Sequence, residues 1–465
     1  MLKLQSLGAY IVLAIFSVGG IFAQSPIQNF VVIFVDDLGY GDLGCYGHPT
    51  IETPNLDRMA QEGQKWTSFY VAANVCSPSR AALLTGRLPV RNGLYSNRNK
   101  GVFFPNSPTG LPPEEQTIAE LLQPAGYATA CIGKWHLGHN DGYLPTDQGF
   151  DYFYGLPYSN DMARPPGVGH REACFNPSIE KFNVPLLRNK EVIEQPVDQE
   201  TITKRYTEEA LRFIEDKQEQ PFFLYLAHTM PHVPLFASQA FRGRSKRGLF
   251  GDVIMELDWS VGQILDRLEE LGLEQSTMVV FTSDNGPWLV LDRMGGTAGL
   301  LHGGKATAYE GGVRVPALFW APSIMEPGTV TNMGSTLDLL PTIAELAGIA
   351  LPSQHTLDGT SLQPMLRNKS AAVRDVFYYY EGSQVFALRK GPYKIHFYRN
   401  NPFGYPKRLE KLAAPSLYNL EEDPSERFDL ATSQPELVTE LTALRDAFVA
   451  TVTLAESELD KNSKQ

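Results

Sequence analysis

Asp36-Asp37 and Asp284-Asn285 each follow a short apolar run, so each pair would sit at the end of a buried strand. Three carboxylates and an amide oxygen form a donor set suited to a hard divalent cation such as Ca2+ or Mg2+. Either pair alone reads better as an Asx turn or a helix cap. Together they favour metal. A second centre is the segment from Cys76 through Pro78 and Arg80 to Arg87. Pro78 suits the first turn of a helix, where free N–H groups and the helix dipole favour negative charge. Arg80, one turn on, can face the same group as Cys76. The competing reading of Cys76 is a buried structural thiol. Lys134 and His136 lie two apart and would share one side of an extended segment. Alone, Lys134-Trp135-His136 reads as an ordinary surface turn.

Alternating strands and helices must position these groups. Asn29–Val35 (NFVVIFV) is a continuous β-branched and aromatic run, the pattern of a strand buried on both faces. Met278–Thr282, Pro221–Ala227 and Tyr127–Ile132 are similar, and each leads into polar residues. Helical patterns fall at Thr53–Glu62, Thr117–Ala125, Glu200–Lys217 and Gly251–Leu271. This alternation predicts an α/β fold with a mostly parallel sheet. Open sheets of that kind bind ligands at the strand C-terminal ends, where the polar residues cluster. After about residue 370 the texture changes. Val376–Tyr380, Val385–Arg389, Tyr393–Tyr398 and Leu417–Leu420 read as antiparallel strands, and Pro435–Val449 as a closing helix. The expected division is a leader at 1–23, a main unit at 24–370 and a smaller C-terminal subdomain at 371–465.

Composition narrows the class. The 465 residues carry 40 Lys and Arg against 52 Asp and Glu, a net charge of −12. That balance excludes a dedicated nucleic-acid surface. Residues 1–23 join a basic Lys3 to an apolar core from Leu7 to Phe22 and a small residue at Ala23, the pattern of a secretory signal peptide. Secretion or periplasmic export follows from it. No later run is apolar enough to span a bilayer. Cys45, Cys76, Cys131 and Cys174 are too few for a disulfide-built fold, and their spacing matches no zinc motif.

Cys76–Arg87 (CSPSRAALLTGR) resembles the long signature of the type I, formylglycine-dependent sulfatases. The likeness extends through Asp36–Pro49, Thr53–Ala60, Gly133–Gly138, Gly155–Asp161, Phe222–Pro234, Phe281–Pro287, Gly303–Ala317 and Leu337–Gly348. The resemblance implies an alkaline-phosphatase-like sandwich, with a large mixed sheet between helices and a smaller antiparallel sheet. It implies that a formylglycine-generating enzyme oxidises Cys76 to Cα-formylglycine, whose hydrate attacks sulfur. Asp36, Asp37, Asp284 and Asn285 then match the family's ligands for Ca2+, with the modified Cys76 as a further ligand. Arg80 would hold the diol. Lys134 would bind a sulfate oxygen, and His136 would take a proton from the covalent sulfate intermediate to release sulfate. His232 matches the histidine at the leaving oxygen and becomes the candidate general acid. Lys305 matches a second sulfate-binding lysine, on glycines that let a ligand approach the backbone. Ser159 matches a serine near the sulfate. His228 is expected to be structural.

The resemblance fades over residues 164–200 and 398–417, which are expected to rim the pocket and set leaving-group specificity. Arg399, Lys407, Arg408 and Lys411, and the run 242–247, read either as solvated loops or as subsites for further sulfates of a glycan. The expected activity is hydrolysis of a sulfate ester on a carbohydrate, with galactose-type units favoured by the family members it looks closest to. Two alternatives remain at this stage. One is a phosphomonoester or phosphonate hydrolase on the same fold, for which the Ser or Thr nucleophile and the extra His ligands are not visible. The other is an inactive glycan-binding relative.

Overall fold

The computed structural model describes residues 27–98, 101–351 and 355–461. The expected leader, residues 1–23, lies outside them. Among the described residues no helix is long and apolar enough to cross a membrane.

Sixteen strands follow in chain order: β1 (Asn29–Val35), β2 (Gln64–Trp66), β3 (Phe69–Tyr70), β4 (Ala128–Lys134), β5 (Tyr152–Leu156), β6 (Leu186–Arg188), β7 (Glu191–Glu194), β8 (Phe222–Ala227), β9 (Thr277–Ser283), β10 (Ala317–Trp320), β11 (Gly328–Val330), β12 (Gly334–Ser335), β13 (Val376–Glu381), β14 (Gln384–Lys390), β15 (Tyr393–Arg399) and β16 (Glu410–Asn419). Ten of them form one sheet in the order β11-β2-β10-β9-β1-β8-β4-β5-β6-β7. Its centre, β9-β1-β8-β4-β5, is parallel. β10 runs antiparallel to β9, and the β5-β6-β7 edge is antiparallel too. The sheet is therefore mixed.

The reason β1 reads as an unbroken apolar run is visible in its packing. Phe30, Val32 and Phe34 enter one hydrophobic cluster with the helix Cys76–Thr85. Val31, Ile33 and Val35 enter the opposite cluster with the helices Ile202–Asp216 and Leu249–Glu270. Both faces of the strand are covered, and each buried side chain of this size contributes about 1.5–3 kcal/mol. Because four adjacent strands are parallel, their C-terminal ends share one edge. Asp36 follows β1, Asp284 follows β9, His228 follows β8, and Lys134 ends β4.

The small sheet is β13-β14-β15-β16, antiparallel throughout. The helix Pro435–Val449 packs on it, with Leu441 buried beside Leu388 and Leu417. β16 begins at Glu410, seven residues before the expected strand. Its first half is largely exposed, so it lacks the apolar pattern that marks a strand in sequence. The poorly matching stretch 164–200 is not all rim, because Leu186–Glu194 forms the hairpin that extends the main sheet.

Candidate active site

Cys76 opens a ten-residue helix in which every side chain is buried. Val75 enters it in an extended conformation, and Gly86 closes it at φ 65°. The thiol lies 3.5 Å from Asp36 Oδ1 and 3.6 Å from Lys305 Nζ. Arg80, also fully buried, donates from Nε and Nη2 to Asp284 Oδ2 at 3.1 and 2.8 Å. Its Nη1 donates to the Lys134 carbonyl at 2.9 Å, and its guanidinium lies over the Phe34 ring.

Two lysines reach the carboxylates beside Cys76. Lys134 Nζ lies 2.5 Å from Asp36 Oδ2 and 3.3 Å from the Ser159 hydroxyl. Lys305 Nζ lies 2.7 Å from Asp37 Oδ1. Burial would lower both ammonium groups, but Asp36 beside Lys134 and Asp37 beside Lys305 outweigh it and hold both above the ordinary lysine range. Burial, reinforced by Asp36, raises the Cys76 thiol, so the unmodified side chain stays neutral.

Ligand atoms of Asp36, Asp37, Cys76 and His232 all lie within 4.8 Å of one another. The group takes in His232 but not Asp284. Asp284 turns Oδ1 to the Asp37 amide at 3.1 Å and Oδ2 to Arg80. Burial, then the Asp36 charge, pushes the Asp284 carboxyl up to about 7 despite Arg80. Asn285 Nδ2 donates to Asp37 Oδ1 at 2.7 Å, and its Oδ1 is buried with no hydrogen-bond partner among the described residues. Crowded carboxylates beside an orphaned amide oxygen are the chemistry a hard cation satisfies, so the residues fit Ca2+. Gly286 holds this turn close to the next loop, since a Cβ there would meet the Gly311 carbonyl at 1.8 Å.

The histidines differ by their partners. His136 is not in an extended segment. Its φ is 61°, so the chain turns after β4 and the expected shared side with Lys134 does not arise from strand geometry. Its Nε2 donates to the Phe103 carbonyl at 2.9 Å, which leaves Nδ1 bare, buried and without a partner among the described residues. Burial, then Lys134, lowers this imidazole well below its usual range. His232 Nδ1 donates to the Val233 carbonyl, and Nε2 lies 3.6 Å from Asp37 Oδ2. Burial, then Lys305, lowers it, with Asp37 and Asp36 acting in opposition. His228 bonds the Ser260 hydroxyl at 3.1 Å, and burial brings it down to about 3.

The profile described as Sulfatase matches residues 28–349, and one described as the C-terminal region of aryl-sulfatase matches 372–465. The chain belongs to the sulfatase family. It is 44% identical to arylsulfatase A of Homo sapiens over 448 residues, covering 90% of this chain and 87% of that one. It is 39% identical to N-acetylgalactosamine-6-sulfatase of Canis lupus familiaris, covering 91% and 86%. The crystal structure of a sulfatase from a Pseudoalteromonas species superposes with a TM-score of 0.80 at 29% identity, covering 94% and 92%. This sulfatase is thus a sulfuric ester hydrolase of the alkaline-phosphatase-like fold.

Sequence reasoning missed four neighbours of this centre. Ser77 donates to the His136 carbonyl at 2.8 Å and so ties the two motifs together. The Trp288 indole lies 4.5 Å from Lys305 Nζ and 5.4 Å from the His232 ring. Tyr405 approaches Trp288 from the poorly matching loop, and Asp161 ends the GLPYSND stretch. An aromatic three residues after Asn285 was the one readable signal. Among the basic residues weighed as glycan subsites, Arg399 closes a bidentate pair with Glu410, Lys407 pairs with Glu381 at 3.2 Å, and Arg242 pairs with Glu200. Those three cations are already partly neutralised.

Proposed function

We propose that this sulfatase is exported by residues 1–23 and removes sulfate from a carbohydrate, with galactose-type units favoured. Residues 24–370 form its catalytic unit and 371–465 its smaller subdomain. Similarity to N-acetylgalactosamine-6-sulfatase supports the sugar class. The observation that carries the reading is the convergence of Arg80, Lys134 and Lys305 on the Asp284, Asp36 and Asp37 carboxylates beside Cys76, at one end of the parallel strands. Three fixed cations around one side chain suit a small, doubly charged anion. The net charge of −12 does not oppose this, because screening limits distant surface charges to about 8 Å.

Oxidation of Cys76 by a formylglycine-generating enzyme supplies an aldehyde whose hydrate carries the nucleophilic oxygen. Asp36, Asp37, Asp284, Asn285 and the modified Cys76 would hold Ca2+, which when bound would supply Lewis acidity toward the sulfate. Arg80 orients the modified side chain and offsets its charge. Lys134 and Lys305 bind sulfate oxygens, and the Ser159 hydroxyl adds a donor beside Lys134. His136 uses its bare Nδ1 to take a proton. His232, when doubly protonated, gives its Nε2 proton to the leaving oxygen, and the Asp37 carboxylate steadies that imidazolium. Mass analysis of the Cys76 peptide from a host with the modifying enzyme tests the reading. An aldehyde in place of the thiol is expected, together with turnover of an aryl sulfate. A thiol in protein that still hydrolyses sulfate esters would refute the mechanism.

A further inference from the structure

Three orphaned or exposed features surround the sulfate-binding end without serving the reaction above. Trp288 sits on the turn after β9. Its ring lies 5.3 Å from His170, 5.4 Å from His232 and 6.0 Å from Tyr405. Its Nε1, a buried donor, has no partner among the described residues. Asp161 gives Oδ2 to His170 Nε2 at 2.9 Å, while its Oδ1 is buried with no partner among the described residues. Asp161 is 8% exposed and feels the charges of both His232 and Lys305. Tyr405 is 40% exposed, yet its hydroxyl end lies within electrostatic reach of Lys305, Cys76 and Asp37.

The backbone fixes this arrangement. Gly404, at φ 79°, presses on the loop that carries Lys305, and a Cβ there would meet the Lys305 carbonyl at 2.2 Å. The close approach of Gly404 places the next residue, Tyr405, beside the Lys305 loop. Arg171 donates to the Val290 carbonyl at 2.6 Å, which pins the His170 helix to the Trp288 loop. An aromatic surface beside one unsatisfied donor and one unsatisfied acceptor suits a polyhydroxylated ring, whose C–H face stacks while its hydroxyls both donate and accept.

We propose that Trp288 and Tyr405 form the binding surface for the sugar ring that bears the sulfate, and that Asp161 Oδ1 accepts a hydrogen bond from a hydroxyl of that ring. A galacto-configured ring fits well, because its axial hydroxyl leaves a continuous C–H patch on the opposite face. The inference rests on the sulfatase mechanism proposed above and adds the contacts that select the leaving group.

The test is steady-state kinetics on galactose 6-sulfate, with inorganic sulfate as competitive inhibitor and p-nitrophenyl sulfate as a sugar-free substrate. Tyr405→Ala should raise KM for galactose 6-sulfate by about 10-fold with a smaller change in kcat, the mark of lost uniform binding. Tyr405→Phe keeps the ring and should keep KM. Asp161→Ala should also raise KM for the sugar. The inhibition constant for inorganic sulfate, which reads the anion site alone, should move less than about two-fold in Tyr405→Ala. An unchanged KM in Tyr405→Ala overturns the proposal. So does a sulfate inhibition constant that rises in step with KM, since Tyr405 would then act on the anion site. If the wild type hydrolyses p-nitrophenyl sulfate but no sulfated sugar, the subsite falls and the mechanism stands. If it hydrolyses neither, the mechanism falls with it.

Discussion

A single oxygen of Asp284, Oδ2, receives two hydrogen bonds from Arg80, while its other oxygen receives the Asp37 amide. The carboxylate thus joins the motif helix to the ends of β1 and β9. Arg80→Lys keeps the charge but not the paired donors, and it shortens the reach to the Lys134 carbonyl. The expected outcome is a loss of kcat/KM of about 100-fold or more. A fall in thermal stability should accompany it. Turnover of p-nitrophenyl sulfate and a melting curve check both.

Cation binding should register in stability as well as in rate. At about 100 times its Kd, Ca2+ should stabilise the fold by about 2.7 kcal/mol. Chelation with EGTA should reverse the rise in melting temperature. In Asp37→Asn the rise should shrink or vanish. A Ca2+ response that Asp37→Asn leaves intact would place the ion elsewhere.

Asp42 predicts a pH dependence remote from the reaction. It is fully buried and accepts the Gly39 and Thr297 amides. Burial pushes its carboxyl up to about 8, only partly offset by those hydrogen bonds and by Arg247. The unfolded value is near 3.8, so between there and about 8 the folded state binds the proton more tightly. Stability from this group is therefore present at low pH and is lost as pH rises through that window. Wild-type melting temperature should fall more between about pH 5 and pH 8 than that of Asp42→Asn. Equal slopes for the two proteins would refute the assignment.

A buried ion cluster joins the two sheets. Lys394, fully buried on β15, lies 2.9 Å from Glu310 and 3.0 Å from Glu426. Glu426 also bonds His396 and the Glu310 amide. Glu310 begins the short helix whose Gly311 carbonyl presses on Gly286. Lys394→Met should cost about 3 kcal/mol, because it removes the ammonium shared by two buried carboxylates and leaves Glu310 with Arg314 and Glu426 with His396 alone. Denaturant unfolding measures the loss. Replacement of Lys394 by Met together with Glu310 and Glu426 by Gln should recover part of it.

The placement of the candidate residues was legible wherever a strand end or the Cys76 segment carried them. β1 and the helix Pro435–Val449 coincide with their sequence limits. β1 is sharply bounded because both its faces are buried and a pair of aspartates stops it. β16 was nearly missed because half of it faces solvent. The shared side expected for Lys134 and His136 does not come from strand alternation, since a left-handed residue sets the direction of His136. Trp288, Tyr405 and Asp161 meet only through tertiary packing, and no spacing within one segment could bring them together.

The burial of the Cys76 helix has a consequence for the order of events in biosynthesis. Cys76 is 2% exposed, and the strand beneath it is completed only when Asn29–Val35 pairs with Thr277–Ser283, nearly 250 residues later in the chain. Lys305 and the Gly404 loop arrive later still. Until those segments emerge the thiol stands open, and afterwards no second enzyme can reach it. If Cys76 is oxidised as proposed above, maturation becomes a race between the modifying enzyme and the chain's own long-range folding. A variant that folds faster would be at risk of emerging intact, stable and inert.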